Sequence, residues 1–301
     1  MRRVWRPGWP CPVGQVWSHL RRGAGDPTYR IDASGRHWRG LRTPEGPATL
    51  GVLALAASGE IVADAWGPGA SWALDHLPAM LGAYDDPSGL PVLHEALRRA
   101  VHERPHWRVS RGGVVWDALA PAIIEQRVTG QEAFAGFRRL VRRFGERAPG
   151  PALDLWIAPD AVTVRRIPTW EFPRLGIDHA RWTTLLRAAC VADALQRTIA
   201  LPGPDAERLL RTVPGIGVWT AAEVRSRAHG DPDAVAFGDY HVARNIGWAL
   251  IGEEVDDAGL AELLEPYRGH RYRVQRLLEL AGPGHPRRGP RMAPRTHLPV
   301  G

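Results

Sequence analysis

The sequence has 301 residues, 44% of them hydrophobic, and a net charge of +7; that length buries a sizeable core in two or three compact units. No apolar run approaches the ~20 residues that cross a bilayer, and Met1-Arg2-Arg3-Val4-Trp5 leads into proline and glycine, so neither a membrane span nor a signal segment is expected. All 39 basic residues are arginine, which excludes chemistry that needs a side-chain amine, and two cysteines, Cys11 and Cys190, are too few for a four-thiolate iron–sulfur cluster or a Cys-rich zinc site.

Residues 1–26 are rich in Arg, Trp, Pro and Gly without periodicity and read as an irregular lead-in. Residues 27–88 read as a β-rich N-terminal domain. Short alternating segments predict strands over Thr28–Ile31, His37–Thr43, Ala48–Ala56 and Ile61–Trp66, with turns at Ala33-Ser34-Gly35 and Ser58-Gly59. Ser71–Leu81 predicts a helix on this sheet, although Pro78 works against its second half. After Asp86-Pro87-Ser88-Gly89 the pattern turns helical, and residues 89–282 read as an all-α core. Helices are predicted over Pro91–Val101, with Ser88 as a possible cap, Trp116–Val128, Gln131–Arg143, His179–Ile199, Asp205–Thr212, Trp219–Ala228, Tyr240–Ile251, Ala258–Tyr267 and Arg271–Ala281. Pro149–Pro173 has no readable period, and residues 283–301 read as a disordered basic tail. The fold class is therefore α+β, a small antiparallel sheet followed by helices.

One segment carries chemistry. Residues 205–228 join two helical stretches through Val213-Pro214-Gly215-Ile216-Gly217. Glycines at 215 and 217 let backbone N–H groups approach a phosphate oxygen where the next helix starts, and the helix dipole favours an anion there. A plain Gly-rich connector between packed helices has the same appearance. Some twenty residues further on, Gly238-Asp239-Tyr240-His241 places an aspartate where a helix begins, a position most often filled by a simple cap. Arginine in place of lysine suits forked phosphate contacts and equally suits a GC-rich genome. His102-Glu103-Arg104-Pro105-His106 matches a zinc-protease pattern in its letters, but Pro105 keeps the two histidines off one helical face.

Val213-Pro214-Gly215-Ile216-Gly217-Val218-Trp219-Thr220-Ala221 followed by Gly238-Asp239-Tyr240-His241 resembles the DNA-3-methyladenine glycosylase II family of the helix-hairpin-helix superfamily. Trp116–Phe137, with Glu125-Gln126-Arg127-Val128-Thr129-Gly130, resembles that family's early core helices. The resemblance implies a monofunctional glycosylase that hydrolyses the N-glycosidic bond of an alkylated purine flipped out of double-stranded DNA. Asp239 is then the catalytic carboxylate. Pro214, Gly215, Ile216, Gly217, Val218 and Thr220 hold the DNA backbone; Arg127 and Gln126 stand where the family inserts its wedge, or are ordinary helix-end residues. Trp219, Glu223 and Tyr240 line the base pocket; Glu223 reads first as a solvated helix residue and otherwise as an attractor of a cationic base. His241 and Arg271 support the site.

Trp219 occupies the place of the nucleophilic lysine of lyase-type relatives, so simple hydrolysis is expected. The family's pocket aromatics are missing at Glu223 and near Glu279. No cofactor is implied beyond a structural Na+ or K+ on the backbone carbonyls of Arg211, Val213 and Ile216. A monomer in the cytoplasm, on the nucleoid, with no obligate protein partner is the expectation. The rival from another class is a non-catalytic DNA-binding or damage-sensing protein that keeps the hairpin.

Overall fold

A computed structural model describes residues 1–151 and 154–282; the tail expected over 283–301 lies outside them. Five antiparallel strands, β1 (Arg2–Trp5), β2 (Tyr29–Ile31), β3 (His37–Thr43), β4 (Gly46–Leu55) and β5 (Glu60–Trp66), form one sheet in the order β1-β5-β4-β3-β2. The first of them corrects the reading of residues 1–26 as irregular. Four residues with arginine at two positions give no strand signal alone, yet β1 pairs with β5 in the register Arg2 to Asp64. Arg2 Nε donates to Asp64 Oδ1 at 2.7 Å, so edge-strand polarity is met across the ladder.

Pro78 does not end α1 (Ala70–Met80). Proline has no N–H for the carbonyl of Leu74, and Arg3 Nη1 on β1 donates to that carbonyl at 2.9 Å instead. Beyond the sheet, α2 (Glu95–Glu103) begins four residues later than predicted, on His94 and without a side-chain cap, and ends before Pro105. The main helices that follow are α3 (Val115–Ile124), α4 (Gly130–Phe144), α5 (His179–Cys190), α6 (Gly203–Leu210), α7 (Val218–Val224), α8 (Val242–Ile251), α9 (Asp257–Leu264) and α10 (Arg271–Ala281). Thr129 and Glu132 form a reciprocal capping box that starts α4. The single helix predicted over His179–Ile199 is broken at Val191, whose φ of −118° leaves the helical range.

Two cores result, and the chain visits the first twice. Leu50 and Val52 of the sheet, Leu77 of α1 and Leu97 of α2 bury in one cluster with Ile246, Leu264 and Val274 from the last three helices. Leu119, Ile123, Phe137, Leu185, Ile216 and Val224 form a second cluster from the chain between. The change of pattern near residue 88 is thus a change of secondary structure, while the packing of the first core runs across it. Asp85 and Arg273 fasten that return: the guanidinium donates Nη1 to Asp85 Oδ2 at 2.7 Å, with side chains 3% and 1% exposed. Removing one member of such a buried pair costs about 3–5 kcal/mol. No helix among the described residues is long and apolar enough to cross a membrane.

Candidate active site

The hairpin lies between α6 and α7. Gly215 has φ +99°, a conformation that favours glycine, and a Cβ there would fall 2.1 Å from Thr184 Oγ1. Gly217 begins α7 with extended backbone, and a Cβ there would meet nothing within 4 Å. Its open side carries the free N–H groups of the helix start. Pro214, Gly215 and Gly217 are exposed, whereas Ile216 and Thr220 turn their side chains inward, 5% and 2% exposed. For those two residues only the backbone is left to meet DNA. Gln126 Nε2 donates to Gly215 O at 3.0 Å and to Thr220 Oγ1 at 2.8 Å. The glutamine therefore spends both of its N–H donors bracing the hairpin from the end of α3.

Asp239 is held at the start of α8. Gly238, with φ +84°, turns the chain so that Asp239 Oδ1 accepts from the N–H groups of His241 at 2.8 Å and Val242 at 3.1 Å. Asp239 Oδ2 accepts from Trp219 Nε1 at 3.0 Å. A carboxylate has about four lone-pair sites, so three donors fix its orientation and leave one site open. The half-buried indole packs on Ala222, Ala234 and Ala236.

Two expectations are corrected, those for Tyr240 and Glu223. Tyr240 is 73% exposed, with Arg244 5.0 Å from its ring centre, because the capping bonds to Asp239 turn the next residue outward; it lines no enclosed pocket. Arg271 takes the supporting role expected of it, on the backbone near Asp239: its Nε donates to Asp233 Oδ1 at 2.8 Å, and Asp233 also accepts from Gly269 N at 2.7 Å. Glu223 is no solvated helix residue. Its side chain is 13% exposed and pairs with Arg227. Burial pushes the Glu223 carboxyl above its ordinary range; Arg227 opposes the rise, while the charges of Glu125 and Asp239 add to it. His241 meets Asp239 through its backbone N–H, and its exposed ring packs edge-on against Tyr240.

Arg127 is exposed, and its φ of +53° is the one positive value on a non-glycine among the described residues. The sequence reading missed Arg227 and the arrival of the N-terminal lead-in. Arg22 Nε donates to Glu125 Oε1 at 3.1 Å, and the half-buried His19 ring is held well below its ordinary pKa by desolvation first and then by the charges of Arg227 and Arg276. The i, i+4 spacing of Trp219, Glu223 and Arg227 was the available signal. Among the described residues no cluster of His, Cys, Asp and Glu has metal-site geometry.

No protein-family model matches the sequence, nor does any curated protein. Solved structures do match. The chain superposes on a 3-methyladenine DNA glycosylase from Archaeoglobus fulgidus with TM-score 0.76 at 17% identity, over 92% of this chain and 97% of that one. It matches MBOgg1 in complex with a low-affinity DNA ligand at 0.74 and 13%, over 92% and 93%. An 8-oxoguanine glycosylase/lyase from Clostridium acetobutylicum matches at 0.71 and 11%, over 93% and 96%. The likeness is one of fold, the α+β helix-hairpin-helix fold of DNA glycosylases.

Proposed function

We propose that this protein is a monofunctional DNA glycosylase that hydrolyses the N-glycosidic bond of a damaged base, an alkylated purine, in duplex DNA. The observation that carries the reading is the Asp239 carboxylate, oriented by two backbone N–H groups and the Trp219 indole on the helix that leaves the phosphate-suited hairpin. Backbone N–H groups at Gly215, Gly217 and Val218 grip a phosphate whatever the base. The target nucleotide leaves the stack, and Arg127 enters the gap; a strained backbone on an exposed arginine fits a residue held ready for that task.

As the bond to the base breaks, positive charge grows on the sugar. The free face of Asp239 stabilises it and orients the attacking water. An N-alkylated purine departs as a neutral base, so one carboxylate suffices. With no lysine in the sequence, water and not an amine completes the reaction. The carbonyls of Arg211, Val213 and Ile216 would hold a Na+ or K+ that braces the hairpin. Val213 O, which already accepts from Ile216 N at 3.0 Å, keeps a second lone pair for it.

The test is incubation of the protein with alkylated duplex DNA and mass-spectrometric detection of released bases. Wild type releases alkylpurines and leaves abasic sites, Asp239→Asn does not, and borohydride traps no adduct. DNA binding with no base released would favour the damage-sensing alternative.

A further inference from the structure

What lies beneath Asp239 and Trp219 has no part in the chemistry above. α7 begins at the hairpin and runs inward; residues four apart share a face, each step about 6 Å deeper. Trp219, Glu223 and Arg227 thus stand at three depths, with Trp219 against the Asp239 carboxylate. The π-helical turn over Arg225–His229 does not interrupt the series, since Arg227 Nη1 still donates to Glu223 O at 3.3 Å and pairs with the Glu223 carboxylate.

An ion pair whose side chains are only 17% and 13% exposed is a costly filler, because apolar residues would occupy the volume at lower desolvation cost. Its unused hydrogen-bonding groups point to a ligand. Arg227 Nε is buried and has no partner among the described residues, and the same holds for Arg276 Nε on α10, one turn beyond Tyr272. The charges of Arg227 and Arg276 act on each other and on the buried Tyr272 hydroxyl. Glu223 engages Arg227 through Oε2, leaving Oε1 as an acceptor.

We infer that Glu223 and Arg227 read the Watson–Crick edge of the flipped base and select 6-oxopurines over 6-aminopurines. The inference rests on the glycosylase reading and deepens it. The sugar must lie at Asp239, so the base enters with its glycosidic nitrogen outward and its 6-substituent inward. A guanine-type base then turns N2–H and N1–H toward the middle depth and O6 toward the bottom. Those donors meet the Glu223 carboxylate, and O6 supplies the acceptor that the buried N–H groups lack. An adenine-type base in the same pose sets its N1 lone pair against the carboxylate and its amino group against the guanidinium groups. Both contacts are repulsive.

Duplex DNA treated with dimethyl sulfate contains 3-methylguanine and 3-methyladenine. Both are alkylated at the same nitrogen, both are cationic while attached to the sugar and both leave as neutral bases, so they differ only along the edge in question. The initial release rates, read by mass spectrometry and normalised to lesion content, are expected to favour 3-methylguanine at least about tenfold. Glu223→Gln and Arg227→Met bring the ratio to near one. Arg227→Lys, which keeps the charge and loses the fork, restores part of it. If Arg227→Met does not fold, Glu223→Gln carries the comparison. A wild-type ratio below one, or a ratio that Glu223→Gln leaves unchanged, overturns the assignment. Release of neither base overturns the hydrolase reading itself, an outcome distinct from an inverted ratio.

Discussion

The Trp219 indole donates to Asp239 across twenty residues of sequence, at 3.0 Å, and so joins the helix that leaves the hairpin to the carboxylate at the head of α8. Phenylalanine at 219 keeps an aromatic face and removes only that donor. A hydrogen bond to a charged acceptor is worth about 1.5–3 kcal/mol, so Trp219→Phe is expected to lower kcat about ten- to a hundredfold with little change in Kd for DNA. Asp239→Asn is expected to lose about a hundredfold or more. Single-turnover base release with a binding titration separates the two parameters. A Trp219→Phe defect confined to Kd would show that the indole holds DNA and not the carboxylate.

The two hairpin glycines should fail differently. Alanine at 215 must adopt φ +99° and crowd Thr184, so Gly215→Ala is expected to destabilise the fold by more than about 2 kcal/mol. Alanine at 217 has room and an ordinary φ of −95°, so the fold should hold within about 0.5 kcal/mol. The new methyl group stands where a phosphate must approach, and DNA affinity should fall about tenfold. Chemical denaturation and fluorescence anisotropy test this; equal DNA affinity in Gly217→Ala and wild type would remove the hairpin from the DNA contact.

Arg127 gives a test in which stability and activity move in opposite directions. A non-glycine residue in the left-handed region costs about 1–2 kcal/mol. Arg127→Gly is therefore expected to gain about 0.5–1 kcal/mol after the added unfolded-chain entropy, and to release base more slowly because the gap filler is gone. Arg127→Ala should slow release without the gain. Melting curves beside release rates decide it, and unchanged release in both variants would leave the strain without a role.

How much of this was legible follows from what each signal depended on. The turn at Gly215 to Gly217 and the aspartate opening a helix are local features, and local spacing places them. Glu223 was misread because a carboxylate on a short helix looks solvated until its surroundings are known. Those surroundings come from Arg227 past a π-helical turn, and from Glu125, which pairs with Arg22 in a lead-in without period. Tyr240 was misplaced for the opposite reason: its neighbour's capping bonds, which no periodicity reports, turn it outward. β1 became a strand only through its partner, since Arg2 and Arg3 find Asp64 and the freed Leu74 carbonyl across the fold.

Asp117 sets a pH dependence of stability. It lies between α3 and the sheet, beside a cavity of about 40 Å³ that Arg22, Arg39 and Arg42 also line. Burial pushes its carboxyl up to about 6 from the ordinary 3.8, with Arg39, Arg42 and Arg22 pulling it back. Between those values the folded protein holds a proton that the unfolded chain has released, so this group's contribution to stability falls as pH rises through the window. At about 1.4 kcal/mol per pKa unit the full fall is about 3 kcal/mol, and contact with the cavity reduces it toward 1–2. Asparagine at 117 cannot titrate. The stability of wild type minus that of Asp117→Asn, from urea denaturation at pH 4, 5, 6 and 7, should therefore decline by about 1–3 kcal/mol and then level off. Carboxylates held low by arginine, such as Asp64, lose their stabilisation at acid pH in both proteins and cancel in the difference. A difference that is flat or rises with pH would mean that Asp117 is ionised throughout, and that its arginines outweigh burial.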